Sequence, residues 1–300
     1  MRVIITGGSG LLGRALAGEL AAAGDEVILL SRRPAAVRGL PSGVRAESWD
    51  GKTAAGWGSL VAGAAIVHLA GENIGARRWS KEQKQRIYDS RVRSGEAVLA
   101  AVEGAAEKPR VLLQASAVGY YGDTGDEILT EGSPAGQGFL AEVGKDWEAV
   151  TADVEPLGVR RAVLRTGVVL AREGGALPRM ALPFRLFAGG TVGDGRHWLP
   201  WIHLADAVAA MKFLLGRDEA RGPFNLTAPN PVTFRELAHT LGEVLHRPSF
   251  LPTPAFALRL ALGEMAELVL TGQRALPTRL LELGFTFRFT ELKAALEDLL

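Results

Sequence analysis

Residues 2–16 read RVIITGGSGLLGRAL, and this stretch decides the fold. A short β-branched run ends in glycines, and a helix-forming segment follows at once. Gly8, Gly10 and Gly13 stand in G-x-G-x-x-G spacing, with Gly7 extending the cluster. That spacing is a weak signal alone, but between a strand and a helix it reads as a dinucleotide-binding turn. The glycines permit a tight turn, close approach of the backbone to a pyrophosphate, and close helix–strand packing. The helix N-terminus offers free N–H groups and partial positive charge to the phosphates.

The next strand, DEVILLS, ends at the position where such sites choose between cofactors. An acid there bonds the ribose 2′-hydroxyl of NAD, whereas arginine accommodates the 2′-phosphate of NADP. This chain has Ser31, Arg32 and Arg33. An acid would repel the extra phosphate and a guanidinium attracts it, often with two hydrogen bonds. The residues therefore predict NADP(H).

Strand-like and helix-like segments alternate over the first half. After RVIITG and DEVILLS come the strands AAIVHLAG, RVLLQAS and VRRAVLRTGVVL. The helices are LLGRALAGELAAAG, a long amphipathic one over 81–103 with Ser80 as N-cap, and GFLAEVGKDWEAVTADV. The pattern predicts an α/β fold, a Rossmann-type doubly wound parallel sheet with a smaller, mostly helical C-terminal cap. The NADP-binding domain is assigned to residues 1–170 with 198–218. The cap is assigned to 171–197 with 219–300, and 248–300 is its helical end.

Composition narrows the function. The chain has 300 residues, 47% apolar and 22% charged, as in an ordinary globular protein. A net charge of +1 gives no electrostatic case for nucleic acid or a membrane surface. Cysteine is absent, so disulfides, thiol nucleophiles and cysteine-bound zinc are ruled out. The start of the chain does not read as a signal peptide, and no run reaches the ~18 apolar residues of a spanning helix. A soluble, cytoplasmic protein is expected. The five histidines, at 68, 197, 203, 239 and 246, form no credible metal set. His203 and Asp206 read better as a satisfied pair at a helix start.

The stretches TGGSGLLG, VHLAGEN (67–73), SAVGYYG (116–122), LRTGVVL (164–170) and WIHLADAV (201–208) resemble the extended branch of the short-chain dehydrogenase/reductase superfamily. HLAGENI, FLAEVGKDWEA, LPFRL and GDGRHWLPWIHLADAV sharpen the likeness. They resemble its atypical epimerase-like family, whose members end in a small C-terminal domain of unknown function. The resemblance covers essentially the whole chain. It implies that Gly7, Gly10, Leu11 and Leu12 line the pyrophosphate and that Ser31 and Arg32 hold the adenosine phosphate. It further implies that Leu69, Ala70 and Glu72 lie by the nicotinamide-side ribose, that Arg91 reaches the cofactor, and that Arg165 and Thr166 lie at the nicotinamide end. A homodimer through the long helix follows by the same analogy.

The superfamily's usual engine, Ser/Thr with Tyr-x-x-x-Lys, is missing. Four residues beyond Tyr88, Tyr120 and Tyr121 stand Val92, Thr124 and Gly125. Lys145 is a candidate motif lysine, but the tyrosine slot before it is Ala141. Ser116, Tyr120 and Lys145 are the substitute candidates, since the loop after a strand's C-terminal end is where open α/β sheets bind ligands. Tyr120 and Tyr121 read equally well as turn aromatics, and Lys145 as a solvated charge. Trp198 and Trp201 either wall a substrate pocket or pack the cap onto the sheet. Arg179, Arg185 and Arg196 are candidates for a substrate diphosphate, or surface charge. The expected function is hydride transfer to a small carbonyl or nucleotide-sugar-like substrate with a non-standard proton donor. The alternative is a non-catalytic NADP(H) sensor.

Overall fold

The computed structural model describes residues 1–300. Seven strands build the central sheet: β1 (Arg2–Thr6), β2 (Glu26–Ser31), β3 (Val44–Ser48), β4 (Ala65–His68), β5 (Val111–Ala117), β6 (Arg160–Thr166) and β7 (Gly222–Leu226). Their order is β7-β6-β5-β4-β1-β2-β3, and every pairing is parallel. The chain runs outward from β1 to β3, then returns to place β4 on the other side of β1. The crevice at that reversal, outside the strand C-termini, is where doubly wound sheets bind ligands.

Both faces of the sheet are covered, so its strands are apolar without alternation. Val3, Ile5, Val27 and Leu29 face one core, completed by α1 (Leu11–Ala22) and α5 (Leu204–Leu215). Ile4, Ile28, Leu30 and Ile66 face the other, packed on α2 (Lys81–Gly104). Ser80 caps α2 as expected, its hydroxyl accepting from the Gln83 N–H at 3.2 Å. Next to α2 lies α3 (Phe139–Ala149), which packs on β5.

The cap forms around α4 (Leu177–Arg185), α6 (Phe234–Leu245) and the last helix, Leu292–Leu299. Phe184, Trp201, Phe234, Leu241, Phe289 and Leu296 make its own core. Trp201 is fully buried there with its indole N–H donated to the Asn230 carbonyl, so of its two readings it takes the packing one.

The domain boundaries need correction. Residues 222–226 belong to the sheet domain rather than to the cap: they form β7, the edge strand of the main sheet, paired with β6 from Gly222↔Ala162 to Leu226↔Thr166. A five-residue strand carries no local mark of which sheet it joins; that is settled by its pairing. Nor is 248–300 separate. Leu280, Phe285 and Phe287 belong to the sheet's core, and the Asp206 carboxylate accepts from the Arg288 and Phe289 N–H groups at 2.8 and 2.9 Å. His203 caps α5, stacks on Phe289 at 4.0 Å and faces Asp298. The His203–Asp206 pair thus fastens the tail to the sheet domain. No helix is long and apolar enough to cross a membrane.

Candidate functional site

Between β1 and α1 the chain turns through Gly7, whose φ of +66° is strained for any residue with a Cβ. A Cβ there would lie 2.7 Å from the Leu69 carbonyl oxygen, so the turn is pressed against the segment leaving β4. A Cβ on Gly8 would meet the Leu29 side chain at 2.6 Å, and one on Gly13 would meet Gly8 Cα at 2.6 Å. Gly10 caps α1 without any side chain. The first-turn N–H groups of Leu11, Leu12 and Gly13 therefore carry no side-chain acceptor. The Leu11 side chain faces a second pocket described below, while Leu12 packs into the sheet core.

A buried relay sets the other wall of the turn. The Thr6 hydroxyl accepts from the Leu69 and Ala70 N–H groups at 3.1 and 3.2 Å and contacts His68 Nδ1 at 2.7 Å. With both acceptances filled, Thr6 must donate to Nδ1, which places the His68 proton on Nε2. Nε2–H then faces the Ser94 hydroxyl at 3.3 Å, and Ser94 donates to the Arg91 carbonyl at 3.1 Å. Complete burial pushes the His68 pKa down to about 3, so the ring stays neutral and structural. The relay holds Leu69 and Ala70 in place beside Gly7.

A cleft of about 650 Å³ runs from this turn to the end of β2, lined by Gly7, Gly10, Ser31, Arg32, Arg33 and Ala70 among others. The Ser31 hydroxyl accepts from the Arg33 N–H at 3.2 Å. Arg32 and Arg33 are exposed and neither has a carboxylate partner, in contrast to Arg45 nearby, which pairs with Glu26 and Glu47. Arg14 and Lys52 also line the cleft. Sequence reading missed both, although Arg14 directly follows the last glycine of the motif.

A second pocket, of about 350 Å³, lies beyond the ends of β5 and β6 and under the cap. Ala117, Thr166, Leu140, Trp147, Trp198 and Phe234 are among its walls, and Arg91 stands between it and the first cleft's Gly71 and Glu72. Arg91 donates to the Glu72 and Ile87 carbonyls at 3.1 and 3.0 Å and packs over Trp147 at 4.8 Å. Burial lowers its pKa to about 10, with Glu72 opposing the shift. Trp198 lines this pocket, anchored by its N–H on Asp126 at 2.9 Å.

The other expected site residues are not brought to this pocket. The α3 residues that face it are Leu140, Val143, Gly144 and Trp147, one stripe of a 3.6-residue helix. Lys145 falls off that stripe, exposed in a groove with Tyr88, Glu142 and Asp146. The four-residue spacing that faces the pocket is therefore Leu140–Gly144, one residue earlier than Ala141–Lys145. A Cβ on Gly144 would already stand 3.3 Å from Tyr120 Cα. Neither position carries a titratable group.

Ser116, Tyr120 and Arg165 form a cluster behind the pocket wall. Ser116 and Arg165 are register partners, and both bind Glu148 of α3. The Ser116 hydroxyl donates to Oε1 at 2.6 Å, and Arg165 makes two parallel bonds to the carboxylate at 2.9 Å. Arg165 also donates to the Tyr121 hydroxyl at 3.0 Å and lies 3.6 Å over the Tyr120 ring. Tyr121 in turn donates to Asn225 of β7 at 2.7 Å. Arg165 is thus turned into its ion pair with Glu148 and does not line the second pocket, whereas Thr166, the next residue, does. Of the diphosphate candidates, Arg179 donates to the Gly75 carbonyl, and neither it, Arg185 nor Arg196 lines this pocket.

Residues 3–142 match the NAD dependent epimerase/dehydratase family, and residues 253–299 match a domain of unknown function, DUF1731. The epimerase family protein YfhF of Bacillus subtilis is 39% identical over 301 residues, covering 100% of this chain and 98% of that protein. An Arabidopsis thaliana relative, the chloroplastic homolog of epimerase family protein SDR39U1, is 41% identical over 309 residues, covering 100% and 87%. Human epimerase family protein SDR39U1, solved with NADPH, superposes with a TM-score of 0.90 at 35% identity, over 100% of this chain and 99% of that one.

Proposed function

The chain belongs to the epimerase family, and from that premise we propose that it is an NADP(H)-dependent oxidoreductase acting on a small molecule in the pocket beneath the cap. The observation that carries the cofactor assignment is the pair of unpartnered guanidiniums, Arg32 and Arg33, at the end of β2. The matched family is described by NAD, for which an acid at this position is the usual choice. This chain has the opposite charge there, and its human relative was solved with NADPH.

The residues fit a dinucleotide laid from the first cleft to the second. Gly10 and the N–H groups of Leu11 and Leu12 would hold the pyrophosphate. Ser31 and Arg32, with Arg33 and Arg14 beside them, would hold the 2′-phosphate. Arg91 and the backbone of Leu69 and Ala70 would hold the ribose between the clefts. When bound, NADPH supplies a hydride at nicotinamide C4. The apolar walls of the second pocket exclude water from that transfer. The pocket lacks the clustered cations that a nucleotide-sugar diphosphate requires, which favours a small substrate over a nucleotide sugar.

A second reading, a non-catalytic NADP(H) sensor, draws on one feature: the pocket-facing stripe of α3 has no proton donor. Titration of the protein with NADPH and NADH by nicotinamide fluorescence tests the cofactor assignment. Absorbance of the saturated protein against carbonyl compounds, alcohols and nucleotide sugars, with product analysis for internal redox, tests the chemistry. Preference for NADPH with turnover supports the oxidoreductase. Tight binding without any conversion supports the sensor, and preference for NADH overturns the cofactor assignment.

A further inference from the structure

Seven of the eleven large apolar side chains that the fold leaves exposed fall in two short stretches, residues 182–187 and 250–260. The fold brings these stretches together. Leu251 donates its N–H to the Gly189 carbonyl at 3.0 Å, and Thr253 donates to the Thr191 carbonyl at 2.8 Å. Residues 250–253 therefore run alongside the segment that leaves α4. Beyond them, α7 (Ala255–Leu262) buries none of its residues. Phe250, Phe256 and Leu260 are 74%, 72% and 78% exposed. Single exposed apolar residues are ordinary on a protein surface, but a cluster of them marks an interaction site.

Phe187 adds an observation of a different kind. It stands just past the end of α4 with a φ of +60°, a left-handed conformation that suits glycine at a helix end and that a bulky residue rarely adopts. The strain secures no place in the core, since Phe187 is 59% exposed, with the Arg247 guanidinium 4.5 Å over its ring. Strain of this sort collects at functional positions.

Charge selects the occupant. From residue 174 to 193 and from 244 to 263 the chain has no Asp or Glu. Arg185, Arg247 and Arg259 are exposed there, and none is paired with a carboxylate. The acids flanking the second stretch are engaged elsewhere, Glu243 by His239 and Lys293 and Glu264 by Lys84. The net charge of +1 thus conceals two adjoining stretches whose charges have one sign. A second copy of this chain would set like charges against each other, whereas an anionic lipid surface attracts them. Arginine at such a surface keeps its guanidinium among the headgroups while phenylalanine and leucine enter the acyl boundary. Side chains about three-quarters exposed on an unburied helix stand outward, as that entry needs.

We propose that the end of α4, residues 250–253 and α7 form one face that docks the protein peripherally on an anionic lipid surface. Phe187, Phe250, Phe256 and Leu260 enter the headgroup boundary, and Arg185, Arg247 and Arg259 pair with lipid phosphates. Such attachment needs no spanning helix, and the fold has none.

The test is flotation of the full chain with vesicles of equal parts phosphatidylcholine and phosphatidylglycerol, set against vesicles of phosphatidylcholine alone. The expected result is binding to the mixed vesicles that weakens in high salt and is at least about tenfold weaker on phosphatidylcholine. Phe256→Ser with Leu260→Ser should lower binding to the mixed vesicles at least about tenfold, by removing two side chains that enter the lipid. Arg247→Gln with Arg259→Gln should lower it about tenfold and flatten its salt dependence. The unfolding midpoint should hold in both variants, because all four residues are exposed. Absence of binding to the mixed vesicles would overturn the proposal, as would binding that both variants retain. A dimer that Phe256→Ser with Leu260→Ser dissociates, seen by sedimentation in a protein that binds no vesicles, would assign the face to a second copy and overturn the lipid reading.

Discussion

Replacing Arg32 by alanine should separate the two cofactors. Its guanidinium is exposed, lines the first cleft and has no acidic partner, so removing it breaks no ion pair and leaves the fold intact. A hydrogen bond to a charged group contributes about 1.5–3 kcal/mol, and solvent screening at an exposed site favours the lower end. At about 1.4 kcal/mol per decade, NADPH should bind roughly tenfold more weakly. NADH has no 2′-phosphate and should change less than about twofold. Arg33 is a neighbouring cation, so the double variant Arg32→Ala/Arg33→Ala should lose more than the single one. Fluorescence titrations in low and high salt add a second criterion, because the NADPH preference of the unmodified protein should shrink as salt screens the phosphate. Equal losses for both cofactors, or no loss for NADPH, would refute the assignment of β2's end to the 2′-phosphate.

Gly7→Ala forces a Cβ to 2.7 Å from the Leu69 carbonyl at a φ of +66°, and should cost about 1–3 kcal/mol in denaturant unfolding along with NADPH affinity. Glu148→Gln leaves Arg165, only 5% exposed at its side chain, without its anion; unfolding should register roughly 3–5 kcal/mol. Lys145→Met, in contrast, should leave NADPH oxidation unchanged within about twofold, because Lys145 is off the pocket stripe. His68 gives a pH signature. Its folded pKa of about 3 lies below the ordinary 6.5, so between those values the unfolded chain binds the extra proton and stability falls as pH drops. At about pH 4.5 this amounts to roughly 3 kcal/mol, and the slope should flatten in His68→Gln.

The parts of the site that the sequence made legible are those fixed by local backbone geometry. The turn at Gly7 and the capping position of Gly10 lie within one strand–turn–helix, and the arginines follow at the end of the next strand. Spacing alone therefore placed them. The misplaced residues depend on contacts made far along the chain. Arg165 ends a strand, which reads as exposure to the ligand, until Glu148 binds it from α3. β7 reads as part of the cap until it pairs with β6. Lys145 is the only lysine on α3, and a helix of this length fits either of two adjacent stripes to the sheet. Tyr120 decides between them: its backbone passes so close to α3 that only Gly144 can lie beneath it.

That close approach links the missing acid to the shape of the pocket. In a helix that presents Leu140, Gly144 and Trp147 to the second pocket, a lysine at 144 would need the space that Tyr120 occupies. Tyr120 is itself held by Arg165, stacked 3.6 Å over its ring, and Arg165 is held by Glu148 of the same α3. The contacts form a closed set in which each member fixes the next. Restoring the usual Tyr-x-x-x-Lys would then take more than Leu140→Tyr and Gly144→Lys, because the loop carrying Tyr120 would also have to move. The absence of a titratable group from the pocket-facing stripe of α3 is thus built into its packing on the end of β5.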